Sequence, residues 1–305
     1  MEQRGRVLVA TVSNPPHGLM DSDIVAGLAA LVRRAEADDG VGAVVLTGAH
    51  PERFVAHYDV GELLAAARSG PKVGRRTAHA SLRVAGALRR MPALERGLER
   101  TPAAGLVALE RFHEILLSMN RSGAVYVAAL NGSAMGGGCE VALACDVRLM
   151  SQGDFVVGQP EILFGFPPGG GGTQRLERLL GSAKALRVIL DGGPISPTDA
   201  QELGLVDELV PPDALLDRAI AVAARLGARP KAGVGACKRA VYEGGSLPFA
   251  AALRLERSEF LAAAGTSDAK DAMASYQRSL ERTGQLPGYD RSTLERALDA
   301  GRFSD

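Results

Sequence analysis

The alternation of hydrophobic and polar positions near the start of the chain predicts a strand, a helix and a second strand in succession. Residues 6–13 alternate and are rich in β-branched side chains, as half-buried strands are. Residues 21–37 repeat their apolar positions at helical spacing, at Ile24, Leu28, Leu31 and Val32. Residues 41–47 form a short continuous apolar run, typical of a strand buried on both faces. This succession favours an α/β fold.

Beyond residue 105 the pattern alternates between helix and strand and then becomes wholly helical. A helix at 106–120 precedes a β-branched strand at 124–130, and short strands follow at 146–150 and 154–157. Further helices are expected at 174–180, 182–190, 197–203, 215–226, 231–242, 248–264 and 268–280. A short helix is also expected before residue 105, at 62–68. We therefore divide the chain into an α/β core, residues 1–210, and a helical C-terminal region, residues 211–305. The polar tail from Gly284 is expected to be loosely ordered.

The segment from Asn131 to Leu176 carries the most distinctive local chemistry of the chain. A glycine turn, Gly132–Gly138, connects the strand at 124–130 to a helix-like segment. A helix that begins after glycines leaves backbone N–H groups free, and these can bind an anion or an oxyanion. Two glutamates lie among apolar residues, Glu140 directly after the glycines and Glu161 further along. Glutamates are unusual in such apolar settings, so both are candidate functional residues.

Each of these features also has a purely structural interpretation. Glu140 is placed to complement the dipole of its own helix, and Glu161 to cap a turn. The second glycine run, 169–172, is most simply a tight turn capped by an exposed Thr173. Asp59 and Asp146 are expected to cap or anchor turns. For the two glutamates, their occurrence together with the glycine turn favours the functional interpretation.

Other glycine-loop chemistries do not fit the spacing. The turn lacks G-x-G-x-x-G, because Val141 stands three positions after Gly138, and no Lys-Ser or Lys-Thr follows as in a P-loop. The G-x-S-x-G sequence of serine hydrolases is absent as well. Dinucleotide, nucleoside-triphosphate and Ser-His-Asp chemistry are therefore not expected.

The composition of the chain reduces the number of possible partners and cellular locations. Lys+Arg and Asp+Glu both number 35, and the chain has no Trp, so neither charge nor aromatic content favours nucleic-acid binding. Three cysteines, without metal-ligand spacing, are expected to be buried reduced thiols. No segment has the pattern of a signal peptide or a membrane span. The expectations are a cytoplasmic protein with no metal, no membrane partner and no nucleic-acid partner.

Several longer motifs resemble the enoyl-CoA hydratase/isomerase (crotonase) superfamily. They are NGxAxGGGCExALACD at 131–146, GQPEI at 158–162, PGGGGTQRL at 168–176, GSAKA at 181–185 and DAQELGLVD at 199–207. The resemblance extends over 6–61 and 112–279. It implies a crotonase-like spiral of ββα units with a helical C-terminal trimerisation region. It also implies an acyl-CoA thioester substrate, no separate cofactor, and a homotrimer or a hexamer built as a dimer of trimers.

The resemblance assigns roles to particular residues. The backbone N–H groups of Tyr58 and Gly137 correspond to an oxyanion hole for a thioester enolate. Glu140 is implied to activate water at C3, and Glu161 to deliver a proton to C2. The implied acyl-CoA contacts are Ala56, Tyr58, Asp59, Val60, Gly136, Gly137 and Pro160.

Two features depart from the family pattern. His57 stands where the family usually has glycine, so the family's loop geometry does not carry over directly, although histidine tolerates a positive φ better than most residues. We expect either a packing or surface role for His57 or a titratable group near the ligand. Residues 71–105 are an apparent insertion, with eight basic residues against two acidic ones. Leucines in it, such as Leu82, predict short amphipathic helices, either as a solvated excursion or as a basic surface near the site mouth.

The presence of both glutamates favours hydration of a 2-enoyl-CoA, because the resemblance implies that isomerases usually keep only the Glu161 equivalent. Enoyl-CoA isomerisation and acyl-CoA hydrolysis stay open as alternatives. A non-catalytic acyl-CoA-binding protein is a third possibility, favoured only by His57 and the insertion.

Overall fold

The computed structural model describes residues 1–70, 74–88, 101 and 103–304. Its main sheet has six strands in the order β1-β2-β3-β4-β6-β8, and β5 and β7 form a separate two-stranded sheet. The strands are β1 (Glu2–Arg4), β2 (Val7–Val12), β3 (Ala43–Gly48), β4 (Val125–Leu130), β5 (Ala134–Met135), β6 (Val147–Ser151), β7 (Val157–Gly158) and β8 (Glu208–Val210). Only the β1–β2 pair is antiparallel in the main sheet.

Helices follow the strands and then occupy the chain beyond β8. They are α1 (Ser22–Ala37), α2 (Val60–Ser69), α3 (Arg75–Leu88), α4 (Ala104–Arg121), α5 (Gly137–Ala144), α6 (Gly172–Leu180), α7 (Ser182–Asp191), α8 (Pro197–Glu202), α9 (Leu215–Gly227), α10 (Lys231–Tyr242), α11 (Phe249–Ala264), α12 (Ser267–Thr283) and α13 (Arg291–Ala300). Short 3₁₀ helices occupy Pro160–Phe164 and Gly244–Ser246. Local caps explain several of the helix starts; Asp21, for example, accepts a hydrogen bond from Ile24 N at the start of α1.

The central strands of the main sheet are buried on both faces, because helices cover both sides and successive side chains along a strand point to opposite sides. Leu8, Val44 and Tyr126 belong to the cluster that packs with α1, α4 and α5. Their neighbours in sequence, such as Val45 and Val127, belong to a second cluster completed by α9. The near-continuous apolar runs of β3 and β4 follow from this double burial.

Parallel pairing places the carboxyl ends of β3 and β4 side by side, with Thr47 opposite Ala129. The loops that leave these two strands, 49–59 and 131–136, therefore begin at the same edge of the sheet. The β5–β7 pair then aligns Met135 with Gly158. The fold thus brings the first glycine turn beside both the loop of Tyr58 and the segment of Glu161.

Most of the predicted elements occur in the structure, and the differences have local causes. The tail was expected to be loosely ordered, but it contains α13, which Asp290 caps through Thr293 N. The strand expected at 154–157 is reduced to Val157–Gly158, and the polar strand β1 had no detectable pattern. Cys139 and Cys145 are buried as expected, whereas Cys237 is exposed. The boundary at residue 210 stays a prediction, although α9 packs directly on the sheet.

Part of the basic insertion is described. Its residues 75–88 form α3, in agreement with the predicted amphipathic helix, and α3 packs against α4. The segment 71–73 and the residues 89–100 and 102 lie outside the described part of the chain. Across the described residues, no helix combines the length and apolar character needed to span a bilayer.

Candidate active site

Asn131 holds together the two loops that leave β3 and β4. Its side-chain oxygen accepts hydrogen bonds from Gly48 N at 2.8 Å and the Thr47 hydroxyl at 3.3 Å. Its side-chain nitrogen donates to His50 O at 2.8 Å. Asparagine supplies both a donor and an acceptor, so one side chain fixes the loops relative to each other.

The backbone N–H groups of Tyr58 and Gly137 lie close together where these loops meet. A Cβ built on Gly137 would lie 3.5 Å from Tyr58 N. The bridge between Met20 and Tyr58 uses His57 O and Asp59 N, and it leaves Tyr58 N unused. Gly137 is the first residue of α5, so its N–H has no acceptor within the helix. Two backbone N–H groups that the bridge and the helix leave unused are thereby neighbours.

Glycine is required along this turn for two different reasons. Gly136 has φ +54°, in the region that favours glycine. At Gly137 a Cβ would approach Met20 Cε to 2.2 Å, and at Gly138 it would approach Val55 O to 1.9 Å. The backbone of α5 therefore packs against the loop of Tyr58 more closely than any side chain would permit.

The Tyr58 and His57 side chains have hydrogen-bond partners within their own segment of the chain. The Tyr58 hydroxyl donates to Glu62 Oε2 at 3.0 Å, and Glu62 also accepts from the Ser22 hydroxyl at 3.1 Å. Burial and the bond to Glu62 raise the pKa of the Tyr58 phenol. His57 is exposed, and its Nδ1 lies 2.9 Å from Tyr58 O. The expected backbone difficulty at His57 does not arise, because every described residue with positive φ is glycine.

The two aspartates anchor local structure as predicted. Asp59 caps α2 by accepting from Gly61 N at 2.6 Å and Glu62 N at 3.2 Å. Asp146 accepts from Lys238 Nζ at 2.6 Å and from the Tyr242 hydroxyl at 3.0 Å, which fixes α10 to the sheet. The cap orients Val60, the first residue of α2, beside the loop of Tyr58.

Glu140 is a buried carboxyl group, with 3% of its surface exposed. Its Oε1 accepts hydrogen bonds from Gly170 N at 2.6 Å and from Gly172 N at 2.8 Å. Burial raises the pKa of Glu140, while the hydrogen bonds from Gly172 and Gly170 act against the rise. Within the described residues Oε2 accepts no hydrogen bond, so one oxygen is anchored and the other is available for chemistry.

The second glycine run is the receptor for Glu140, and the predicted turn capped by Thr173 is wrong. The helix α6 begins already at Gly172, after Gly171 with φ +100°, and its start has no side-chain cap. Thr173 therefore lies inside the first helical turn. A Cβ on Gly170 would lie 2.4 Å from Glu140 Oε2, which explains why this position lacks a side chain.

Glu161 lies in the 3₁₀ helix that starts at Pro160, on the other side of the glycine turn. A Cβ on Gly136 would come within 2.8 Å of Glu161 Oε1, so the carboxyl group lies against the turn. Burial, together with the negative charge of Glu140, raises the pKa of Glu161 to about 7. Near neutral pH, Glu161 can therefore both donate and accept a proton.

Gln159 is a site residue that the sequence analysis missed. It is 1% exposed, and with its amide nitrogen facing Glu161 it donates to Oε2 at 3.0 Å and to Oε1 at 3.2 Å. These bonds orient the Glu161 carboxyl group and favour its ionised form, against the effect of burial. Its position inside the GQPEI motif was the only available sequence signal.

An open cleft of about 390 Å³ lies on the same two loops, and its lining adjoins Tyr58 and Gly137 in sequence without including them. Its lining is His17, Leu19, Arg53, Ala56, His57, Ser133 and Met135. Arg53 Nη1 donates to His17 O at 3.1 Å, which fixes a cation at the rim. Among the described residues no His, Cys, Asp and Glu side chains group as metal ligands.

Comparisons with known proteins identify the family and the fold of the chain. The family model described as enoyl-CoA hydratase/isomerase matches residues 93–283. The short-chain-enoyl-CoA hydratase of Clostridium acetobutylicum is 31% identical over 277 residues, which cover 90% of this chain and 93% of that protein. A probable enoyl-CoA hydratase of Rhizobium meliloti is 30% identical over 277 residues, with the same coverage.

A solved structure of an enoyl-CoA hydratase from Polaromonas sp. JS666 has the same fold. Its TM-score is 0.72 at 24% identity, and the match covers 91% of this chain and 96% of that one. The predicted crotonase-like fold class is thereby confirmed. The chain belongs to the enoyl-CoA hydratase/isomerase family.

Proposed function

We propose that this protein is an enoyl-CoA hydratase that adds water reversibly across the double bond of a 2-enoyl-CoA thioester. The observation that carries the proposal is the placement of two carboxyl groups, Glu140 and Glu161, around one glycine turn with unused N–H groups. The names of the curated relatives support the same reaction.

Tyr58 N and Gly137 N would together bind the thioester oxygen as negative charge develops on it. An enolate forms when water adds at C3, and the two backbone donors favour that charge more than the neutral carbonyl. Each donor aimed at developing charge is worth about 10²–10³-fold in rate. Among the described residues neither N–H has another hydrogen-bond partner, so the pair would be preorganised for the reaction.

The two glutamates would divide the proton transfers between them. Ionised Glu140 accepts a proton from water through Oε2 while the water oxygen bonds to C3. Water addition converts the C2=C3 double bond into the C1=C2 bond of the enolate. Protonated Glu161 then donates its proton to C2, which restores the thioester carbonyl. Dehydration runs the same steps backwards with the two protonation states exchanged.

The open cleft favours a large anionic substrate. Arg53 and His17 line it, where they would meet the phosphate-bearing part of coenzyme A, and Ala56 and His57, which also line it, directly precede Tyr58 in the chain. Val60, Gly136 and Pro160 are proposed to contact the thioester end. Asp59 would contribute indirectly, by holding the start of α2, because its carboxylate caps that helix and its N–H already donates to Met20 O.

We propose that the protein assembles as a homotrimer or a dimer of trimers. Large apolar side chains on α11 support this, since Phe249 is 78% exposed and Leu261 70% exposed. Exposed apolar groups of this size favour a protein contact. Light scattering on the purified protein should give a mass of three or six chains, and a monomeric mass would reject the proposal.

Crotonyl-CoA provides the direct test of function, because hydration removes the absorbance of its conjugated double bond. The protein should consume crotonyl-CoA, and Glu140→Gln and Glu161→Gln should each lower kcat by about 10²-fold or more. Because the residues act as a unit, the double variant should lose little more. Near-normal turnover in either single variant would exclude the two-carboxylate mechanism. If the parent protein did not turn over crotonyl-CoA, hydration would be rejected, and isomerisation, hydrolysis or acyl-CoA binding would be the remaining candidate functions.

A further inference from the structure

One hydrogen bond to Glu140 comes from a peptide group that is itself held by a histidine. The Gly169–Gly170 peptide donates through Gly170 N to Glu140 Oε1 at 2.6 Å. The oxygen of the same peptide, Gly169 O, lies in hydrogen-bond contact with Nε2 of His113. A carbonyl oxygen only accepts, so Nε2 carries the hydrogen. His113, the peptide and Glu140 therefore form one continuous chain of donors and acceptors.

We propose that His113 is a positioning residue for Glu140, acting through the Gly169–Gly170 peptide. The inference rests on the proposed function, in which Glu140 activates water. Hydrogen bonds in such a chain polarise one another, so donation to Gly169 O strengthens the N–H of Gly170 as a donor. The same contact fixes the direction in which that N–H points, and hence the position of the carboxylate.

A separate set of hydrogen bonds holds the other side of the glycine loop 169–172. Arg175 Nη1 donates to Gly170 O at 3.1 Å, and Arg175 Nη2 donates to Asn120 Oδ1 at 3.0 Å. Asn120 in turn donates to Ala144 O at 3.0 Å, at the end of the helix that carries Glu140. The loop is thus connected back to α5, so it does not depend on His113 alone for its fold.

The geometry of α4 explains how one helix serves both sides of the loop. His113 and Asn120 are seven residues apart, which is about two helical turns and places them on one face. Asn120 is buried, whereas His113 is only half-buried at the edge of the same face. A substitution at His113 therefore removes a donor without opening the core.

Two substitutions at His113 distinguish the effect of its hydrogen-bond donor from the effect of its side-chain size. His113→Leu removes the N–H, whereas His113→Gln retains a side-chain N–H at a similar reach. With crotonyl-CoA, His113→Leu should lower kcat by about 5- to 10-fold, the loss expected for one net hydrogen bond, and leave KM within about twofold. His113→Gln should keep kcat within about twofold of the parent. Should His113→Leu not fold, His113→Ala removes the same donor without added bulk and carries the same expectation.

The Glu140→Gln background shows whether the effect passes through Glu140. Adding His113→Leu there should lower kcat no further, because the group that it positions is already lost. The inference is overturned by a kcat within twofold of the parent in His113→Leu, by failure of His113→Gln to restore it, or by a full additional loss in the Glu140→Gln background. Near-normal turnover in Glu140→Gln alone would instead reject the proposed function, and the inference with it.

Discussion

A methyl group on Gly170 would collide with the side chain that we propose activates water. A Cβ at this position would lie 2.4 Å from Glu140 Oε2 and 2.3 Å from Phe112 Cε1. Both distances are far shorter than ordinary contacts. Because Phe112 belongs to the buried core, while Oε2 accepts no hydrogen bond from the described residues, the carboxylate is the group more free to move.

The size of the expected effect follows from that displacement. Relief of the clash requires Oε2 to move by about 1 Å, and a misplacement of that size costs about 10²-fold in rate. We therefore expect Gly170→Ala to lower kcat by about 10²-fold with a smaller change in KM. The added methyl group also overpacks the site, which costs about 1–3 kcal/mol and lowers the melting temperature by several degrees.

Gly169 provides a matched control in the same glycine run. A Cβ there would have only Leu109 Cδ1 nearby, at 3.9 Å, and its φ is not positive. Gly169→Ala should therefore keep kcat within about threefold of the parent, less than one kcal/mol in activation free energy. Crotonyl-CoA absorbance gives the rates, and circular dichroism during heating gives the melting temperatures.

The outcome that would refute the reasoning is a Gly170→Ala variant with parental kcat. In that case either the loop moves away from Glu140 without consequence, or the position of Oε2 does not matter for catalysis. An equal loss in Gly169→Ala would also count against it, because that substitution leaves Glu140 undisturbed.

Three further predictions concern the Tyr58 phenol, the Glu161 carboxyl group and the arginines at the start of α3. Tyr58→Phe should keep kcat within about threefold but lose about 1 kcal/mol of stability, measured by denaturant unfolding, because the phenol bonds only Glu62 among the described residues. A large loss of kcat would mean that the phenol participates. The kcat for hydration should fall as pH rises above about 7, because burial raises the pKa of Glu161 to about 7 and the protonated form is the one that donates. A flat profile over roughly two units on either side of that value would remove Glu161 as the acid. Arg75→Gln with Arg76→Gln should raise KM and weaken its dependence on salt while kcat stays nearly constant, since both arginines are exposed at the start of α3 and exposed charges are screened by salt. An unaltered KM from low to high salt would exclude electrostatic steering by α3.

The hypothesis behind the arginine variants covers more of the insertion than the structure describes. Arg89 and Arg90 belong to the same basic segment and to the same expected steering role, but they lie outside the described residues. The test therefore uses Arg75 and Arg76, whose place on α3 is known.

The sequence by itself determined the elements and the glycine turn of this protein. Helical spacing located α10 at Lys231–Tyr242, and the β-branched run located β4, because these signals depend on neighbours within a few residues. It did not reveal α13, although the cap at Asp290 and the pair Leu294 and Leu298 are local signals of a helix. The glycine turn and the two glutamates were likewise recognisable from motifs.

Tertiary structure alone decided how those groups are held. Glu140 was expected to complement its own helix, yet its hydrogen bonds come from Gly170 and Gly172, about thirty positions further along the chain. Asn131 joins loops that start from different strands, and Gln159 turns its amide toward Glu161. Periodicity and caps are set by neighbouring residues, whereas the partner of a buried polar group depends on which distant segment the packed chain places against it.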